Sequence, residues 1–102
     1  MIHVLAIITT KPRKREEVLA AFRAIVPLVR KEEGCIEYGA AVDAEGVGPP
    51  QTRLGPDTYM VVEKWASPAA LAAHSSAPLM AQYRAKTKDL VVSRVIHVLS
   101  PT

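Results

Sequence analysis

A single cysteine, Cys35, stands among the 102 residues, so no intrachain disulfide is available and nothing in the thiol content marks an oxidising compartment. Aromatic residues make up only 5%, and none is interleaved with the one dense basic run, Lys11, Arg13, Lys14 and Arg15, which Glu16 and Glu17 follow at once. Binding to single-stranded nucleic acid needs aromatic platforms along a cationic track. The run therefore reads as a solvated helix start and not as a nucleic-acid surface, and a net charge of +3 adds little to the case. No apolar run approaches the roughly 20 residues of a membrane-spanning helix, so no membrane partner is expected. The opening run Met1–Ile8 has neither positive residues before it nor a small-residue cleavage site, and a cytoplasmic location is the expectation. There is also no Gly-rich phosphate loop, no dinucleotide fingerprint and no Ser or Cys nucleophile signature. His3, His74 and His97 are scattered, and no pair of histidines or carboxylates has metal-ligand spacing. Neither a metal nor another cofactor is expected.

What is present is apolar side chain, 49% of the residues against 23% charged, which suits one globular domain over residues 1–102. Its hydrophobic period changes along the chain. Ile2–Thr9 is a compact run rich in β-branched residues, a strand pattern. From Lys14 to Lys31 the period is helical: Val18, Phe22, Ile25 and Val29 form one stripe, with Leu19 and Val26 beside it. Pro27 should bend this helix or loosen its last turns, and Gly34 is placed to end it in a left-handed conformation. Cys35–Val42 reads as a second strand and Thr58–Trp65 as a third. Ser67-Pro68 supplies an N-cap and first-turn proline for a short helix reaching His74, and Pro78 restarts a second helical piece. Val91–Leu99 closes the chain as a fourth strand. The order β-α-β-β-α-β predicts an α+β ferredoxin-like fold, a four-stranded antiparallel sheet with its helices on one face.

Between Asp43 and Asp57 lie Gly46, Gly48, Gly55 and Pro49, Pro50, Pro56, with almost no apolar anchors. Loops of this length tend to be lids or mobile tips, so the segment is expected to be mobile and to reach over a cavity mouth or toward a partner chain. A partner is expected for another reason. A sheet with one wet face should alternate apolar and polar residues, yet Val4, Leu5, Ala6, Ile7 and Ile8 leave no polar face. The third strand likewise has Met60 and Val62 on one side and Tyr59, Val61 and Trp65 on the other. Pairing of two identical chains through the sheet face closes the exposed side most simply.

Two residues carry chemical interest. Glu63 shares a strand face with Tyr59, Val61 and Trp65, which sets a carboxylate among apolar and aromatic neighbours. It is either desolvated, with its pKa raised, or a structural acid that reaches water or pairs with an Arg, and the second arrangement is the commoner. His74 follows Leu71 by three residues, so it lies on the helix face that packs on the sheet. Histidine there is either a proton acceptor near neutral pH or an ordinary cap or core residue, again the commoner case. Tyr59 and Trp65 would flank a planar ring, with Tyr38 and Tyr83 as polar anchors.

The blocks Lys11-Pro12 with Lys14–Leu19, Glu33–Tyr38, Glu63-Lys64-Trp65 and Ala73–Pro78 together resemble the antibiotic biosynthesis monooxygenase family, in that family's order and across nearly the whole chain. The resemblance implies a dimeric α+β barrel and, in characterised members, oxygenation of quinols or polycyclic phenols by O2 without metal, flavin or other prosthetic group. It places His74 and Trp65 among the cavity residues and matches Glu63 to the carboxylate of the E-x-W block. Arg13 stands where the family often has a glycine. Haem-degrading relatives use an asparagine on the first strand, and this sequence contains none. The same cavity would also suit a module that only binds a small aromatic ligand, or an isomerase or decyclase on the same dimeric scaffold.

Overall fold

The computed structural model describes residues 1–102 as β1 (Ile2–Thr10), α1 (Arg15–Val29), β2 (Cys35–Ala41), β3 (Thr58–Trp65), α2 (Pro68–Ser76), α3 (Pro78–Thr87) and β4 (Val91–Leu99). The strands form one sheet in the order β2-β3-β1-β4, and every neighbouring pair is antiparallel. This is the ferredoxin-like α+β arrangement, with the second helical region divided in two. Pro78 causes the division: the residue before a proline is driven out of the helical region, and Ala77 is extended at φ −64°, ψ 141°. None of the helices is long and apolar enough to cross a membrane.

Strand alternation decides which side chains meet the helices. In β1 the even positions Ile2, Val4, Ala6, Ile8 and Thr10 are buried, while His3, Leu5, Ile7 and Thr9 are half-buried on the open face. In β3, Tyr59, Val61, Glu63 and Trp65 point under the helices and Met60, Val62 and Lys64 point away. Helix α1 lays Val18, Leu19, Phe22, Ile25 and Val29 on the inner face. Burying an aliphatic or aromatic side chain contributes about 1.5–3 kcal/mol, so this cluster dominates cohesion.

Pro27 does not end α1 early; the helix runs on to Val29 and then tightens, with Lys31 N–H donating to Leu28 O at 3.2 Å and Glu32 N–H to Val29 O at 2.9 Å. Gly34 does not terminate the helix, contrary to expectation. Arg30 is the C-cap, and Gly34, at φ +84°, lies in the turn just before β2, where the chain passes close to α2. A Cβ at Gly34 would fall 2.5 Å from Ala70 Cβ, so glycine is required there by conformation and by space. Arg13, too, has a positive φ of 63°, a conformation that glycine adopts most readily; its N–H donates to Asp57 Oδ1 at 2.9 Å.

The segment between Asp43 and Asp57 is closed at its base. Asp43 closes its base by accepting from Leu54 N–H (2.8 Å) and Gly55 N–H (2.9 Å), and Arg53 reaches back to Glu45 at 3.0 Å. Those two backbone donors hold the Asp43 carboxyl below its ordinary pKa. The loop is tied by charge and backbone bonds where apolar anchors are missing, and none of its residues lines the cavity described next.

Candidate active site

A cavity of about 290 Å³ opens between the sheet and helices α2 and α3. Its floor is the inner face of β1 and β3, its roof comes from α1, α2 and α3, and β4 forms the rim. Most of the lining is apolar, with Glu63, His74, Tyr59, Tyr83, Arg84 and Arg94 as the principal polar groups.

His74 arrives through local structure. Ser67 Oγ accepts from Ala70 N–H at 3.1 Å and Pro68 sets the first turn, so α2 starts at a fixed point and delivers His74 two turns later onto its inner face. The imidazole is 4% exposed. Its Nδ1 lies 3.0 and 3.2 Å from the two carboxylate oxygens of Glu32. Its ring is 4.6 Å from that of Trp65 and 5.3 Å from that of Tyr38, centroid to centroid. A carboxylate at Nδ1 selects the tautomer with the proton on that nitrogen and leaves Nε2 as the acceptor. Nε2 has no protein partner, and no fully buried side-chain nitrogen or oxygen goes without one, so Nε2 is open to the cavity.

Glu63 is 7% exposed, and no arginine pairs with it. The Trp65 indole N–H donates to Glu63 Oε1 at 2.8 Å. By the same accounting Oε2 faces the cavity. Burial pushes the Glu63 carboxyl up; the Trp65 hydrogen bond and the His74 ring pull it back in part, and the Glu32 charge raises it further. A raised carboxyl and an open imidazole nitrogen lining one cavity can hold or move protons on a bound hydroxyl.

The sequence-derived residues thus converge, with one change of role. Trp65 is fully buried behind Glu63 and His74 and does not line the cavity, so it supports these two groups and does not flank a ligand. Tyr59, Tyr38 and Tyr83 do line it. Tyr38 stacks on Phe22 at 5.2 Å, and the Tyr59 and Tyr83 hydroxyls are 3.3 Å apart. Burial raises the pKa of all three phenols, so they remain neutral donors. Glu32 and Arg94 escaped the reading of the sequence. Glu32 sits in the turn after α1, 42 residues from His74, where an acidic residue is unremarkable. Arg94 carried a fainter signal, as the lone charge in the strand VVSRVIHVL.

Fold and site together define a small α+β protein with an apolar cavity lined by ionisable side chains, Glu63 and His74 among them. The chain belongs to the antibiotic biosynthesis monooxygenase family, whose model matches residues 1–86; this makes it an oxidoreductase of the monooxygenase type. It is 39% identical over 103 residues to the probable quinol monooxygenase YgiN of Escherichia coli K12, covering 99% of this chain and 98% of that protein. Among solved structures, Rv0793 of Mycobacterium tuberculosis superposes with a TM-score of 0.80 at 25% identity, covering 99% of this chain and 94% of that one. PA3566 of Pseudomonas aeruginosa gives 0.82 at 23% identity over 99% and 93%, a likeness of fold alone.

Proposed function

We propose that this chain is a cytoplasmic homodimer that oxygenates a small aromatic quinol or phenol with O2 without a cofactor. The observation that carries the reading is the Glu32–His74 pair, which turns an unpartnered imidazole nitrogen toward an apolar cavity beside the buried Glu63 carboxyl. The kinship with YgiN, named a probable quinol monooxygenase, supports the substrate class.

Each side chain then has a defined task. His74 Nε2 takes the proton of a substrate hydroxyl, and the Glu32 carboxylate holds the ring in place and stabilises the imidazolium that forms. The electron-rich phenolate passes one electron to O2, giving a phenoxyl radical and superoxide, which recombine with formation of a C–O bond. Loss of water across the O–O bond leaves a new oxygen on the ring. Overall, a quinol and O2 give a hydroxyquinone and water: one oxygen atom enters the product, the other leaves as water, and the substrate supplies all four electrons. Glu63, held by Trp65, is positioned to hydrogen-bond the second hydroxyl or the leaving oxygen. The apolar lining excludes water that would quench the radical pair.

Dimerisation is proposed through the open sheet face, where Leu5, Ile7, Met60 and Val62 lie without a helix to cover them. On β4, Val95 and Leu99 extend that face at 47% and 45% exposure. The test of the chemistry is substitution at His74. His74→Ala should lower quinol-dependent oxygen uptake by roughly 10²-fold or more, the scale of a positioned base, while circular dichroism reports an intact fold. Glu32→Ala should lower it in the same direction. Full activity in His74→Ala would assign His74 to structure alone and favour a module that binds aromatics without turning them over.

A further inference from the structure

The cavity has a second pole that the chemistry above does not use. Strand register pairs Val4 with both Glu63 and Val98, and Ile8 with both Tyr59 and Arg94. Arg94 therefore lies on the inner side of the sheet, at the end of the cavity away from Glu63. Tyr59 and Glu63 are four residues apart along β3, which is about 13 Å at roughly 3.3 Å per residue. At the Arg94 end the Tyr59 and Tyr83 hydroxyls face each other at 3.3 Å. One of the two can donate to the other while keeping its own acceptor free, so the pair retains one unused O–H. The Arg94 charge reaches both phenols, favouring their ionised forms.

Arg94 has no carboxylate within ion-pairing distance and makes no hydrogen bond within the chain. Arg84, the other guanidinium at the cavity, is held by Ser75 O at 3.1 Å and is likewise without an acidic partner. Ile96 and Val98, on the same side of β4, form an apolar path between Arg94 and the proton-handling wall, 59% and 52% exposed. This side of β4 is opposite to the open sheet face, so Arg94 is not on the proposed dimer surface. An apolar slot with proton-handling groups at one end and an unanswered guanidinium plus a free phenolic donor at the other matches an elongated ligand with an anionic tail.

We propose that the substrate is an acidic quinol: a fused-ring hydroquinone bearing a carboxylate remote from its hydroxyls, with Arg94 and the Tyr59–Tyr83 pair holding the carboxylate and His74 facing the hydroxyls. The proposal rests on the quinol-oxidation reading for the reaction but concerns recognition, and the two can fail separately. Arg94 fixes which molecules enter in the productive direction. It takes no part in the electron or proton transfers.

The test compares 5,8-dihydroxy-2-naphthoate with its methyl ester, which has the same ring system without the charge. Binding is read anaerobically through quenching of Trp65, the only tryptophan, and turnover separately by oxygen uptake. The acid should bind roughly tenfold tighter than the ester, as one charge-assisted contact in a partly open site provides. The ratio should shrink with added salt and fall to about one in Arg94→Gln. Equal binding of acid and ester by the wild-type protein would overturn the proposal, as would a preference for the acid that survives Arg94→Gln, or binding of neither. Acid-selective binding without oxygen uptake would uphold recognition by Arg94 and overturn the quinol-oxidation reading instead.

Discussion

At the scale of single residues, Glu63 is the most informative. Its carboxyl is buried on the inner face of β3 with one neutral donor, the Trp65 indole, and no cation. Its folded pKa is therefore above the unfolded value near 4.3. A carboxyl shifted in this direction contributes its full stability below the unfolded value and loses it as pH rises through the raised folded value. Glu63→Gln keeps an acceptor for Trp65 and removes the charge. It should melt at a higher temperature than the wild type above neutrality, and the difference should vanish near about pH 4; thermal melts across that range check it. A difference independent of pH would mean that Glu63 is not desolvated. Period-2 alternation made the burial of this residue legible, but not its partner. An E-x-W spacing places both side chains on one face, and whether the indole turns its N–H to the acid depends on what packs around it. Glu32 was illegible for a related reason: its role appears only when α2 brings His74 to the turn after α1.

At the scale of elements, the strands were the easiest to read. Thr58–Trp65 and Val91–Leu99 coincide with β3 and β4 because β-branched runs bounded by turn residues leave little choice of limits. The end of α1 was harder, since Gly34 answers to the approach of Ala70, a tertiary constraint that no local pattern carries. In the loop from Asp43 to Asp57 the missing apolar anchors were legible, but not that Asp43 closes the base by accepting from two backbone donors. Hydrogen exchange should accordingly show the Leu54 and Gly55 amides protected relative to residues 44–50, and Asp43→Ala should remove that protection with little change in the sheet. Uniformly fast exchange through the loop in the wild type would contradict the closed base.

At the scale of the whole molecule, the open sheet face and the cavity lie on opposite sides of the same strands, so the proposed dimer and the proposed chemistry would draw on alternate residues of β1 and β3. Leu5 belongs to the first set and Ala6 to the second. Sedimentation of the wild type should give a species of twice 11.1 kDa. Leu5→Asp should dissociate it, because an unpaired charge in an apolar interface costs several kcal/mol; a wild-type protein that stays monomeric at micromolar concentration would refute the dimer. The central claim is that one atom of O2 is inserted into an aromatic ring by side chains alone. Turnover of a naphthohydroquinone under 18O2 by protein stripped of metal and flavin, followed by mass spectrometry of the product, tests it most directly. The account predicts a hydroxyquinone carrying one labelled oxygen, formed far more slowly by His74→Ala; an unlabelled quinone with hydrogen peroxide, at the same rate with either protein, would contradict it.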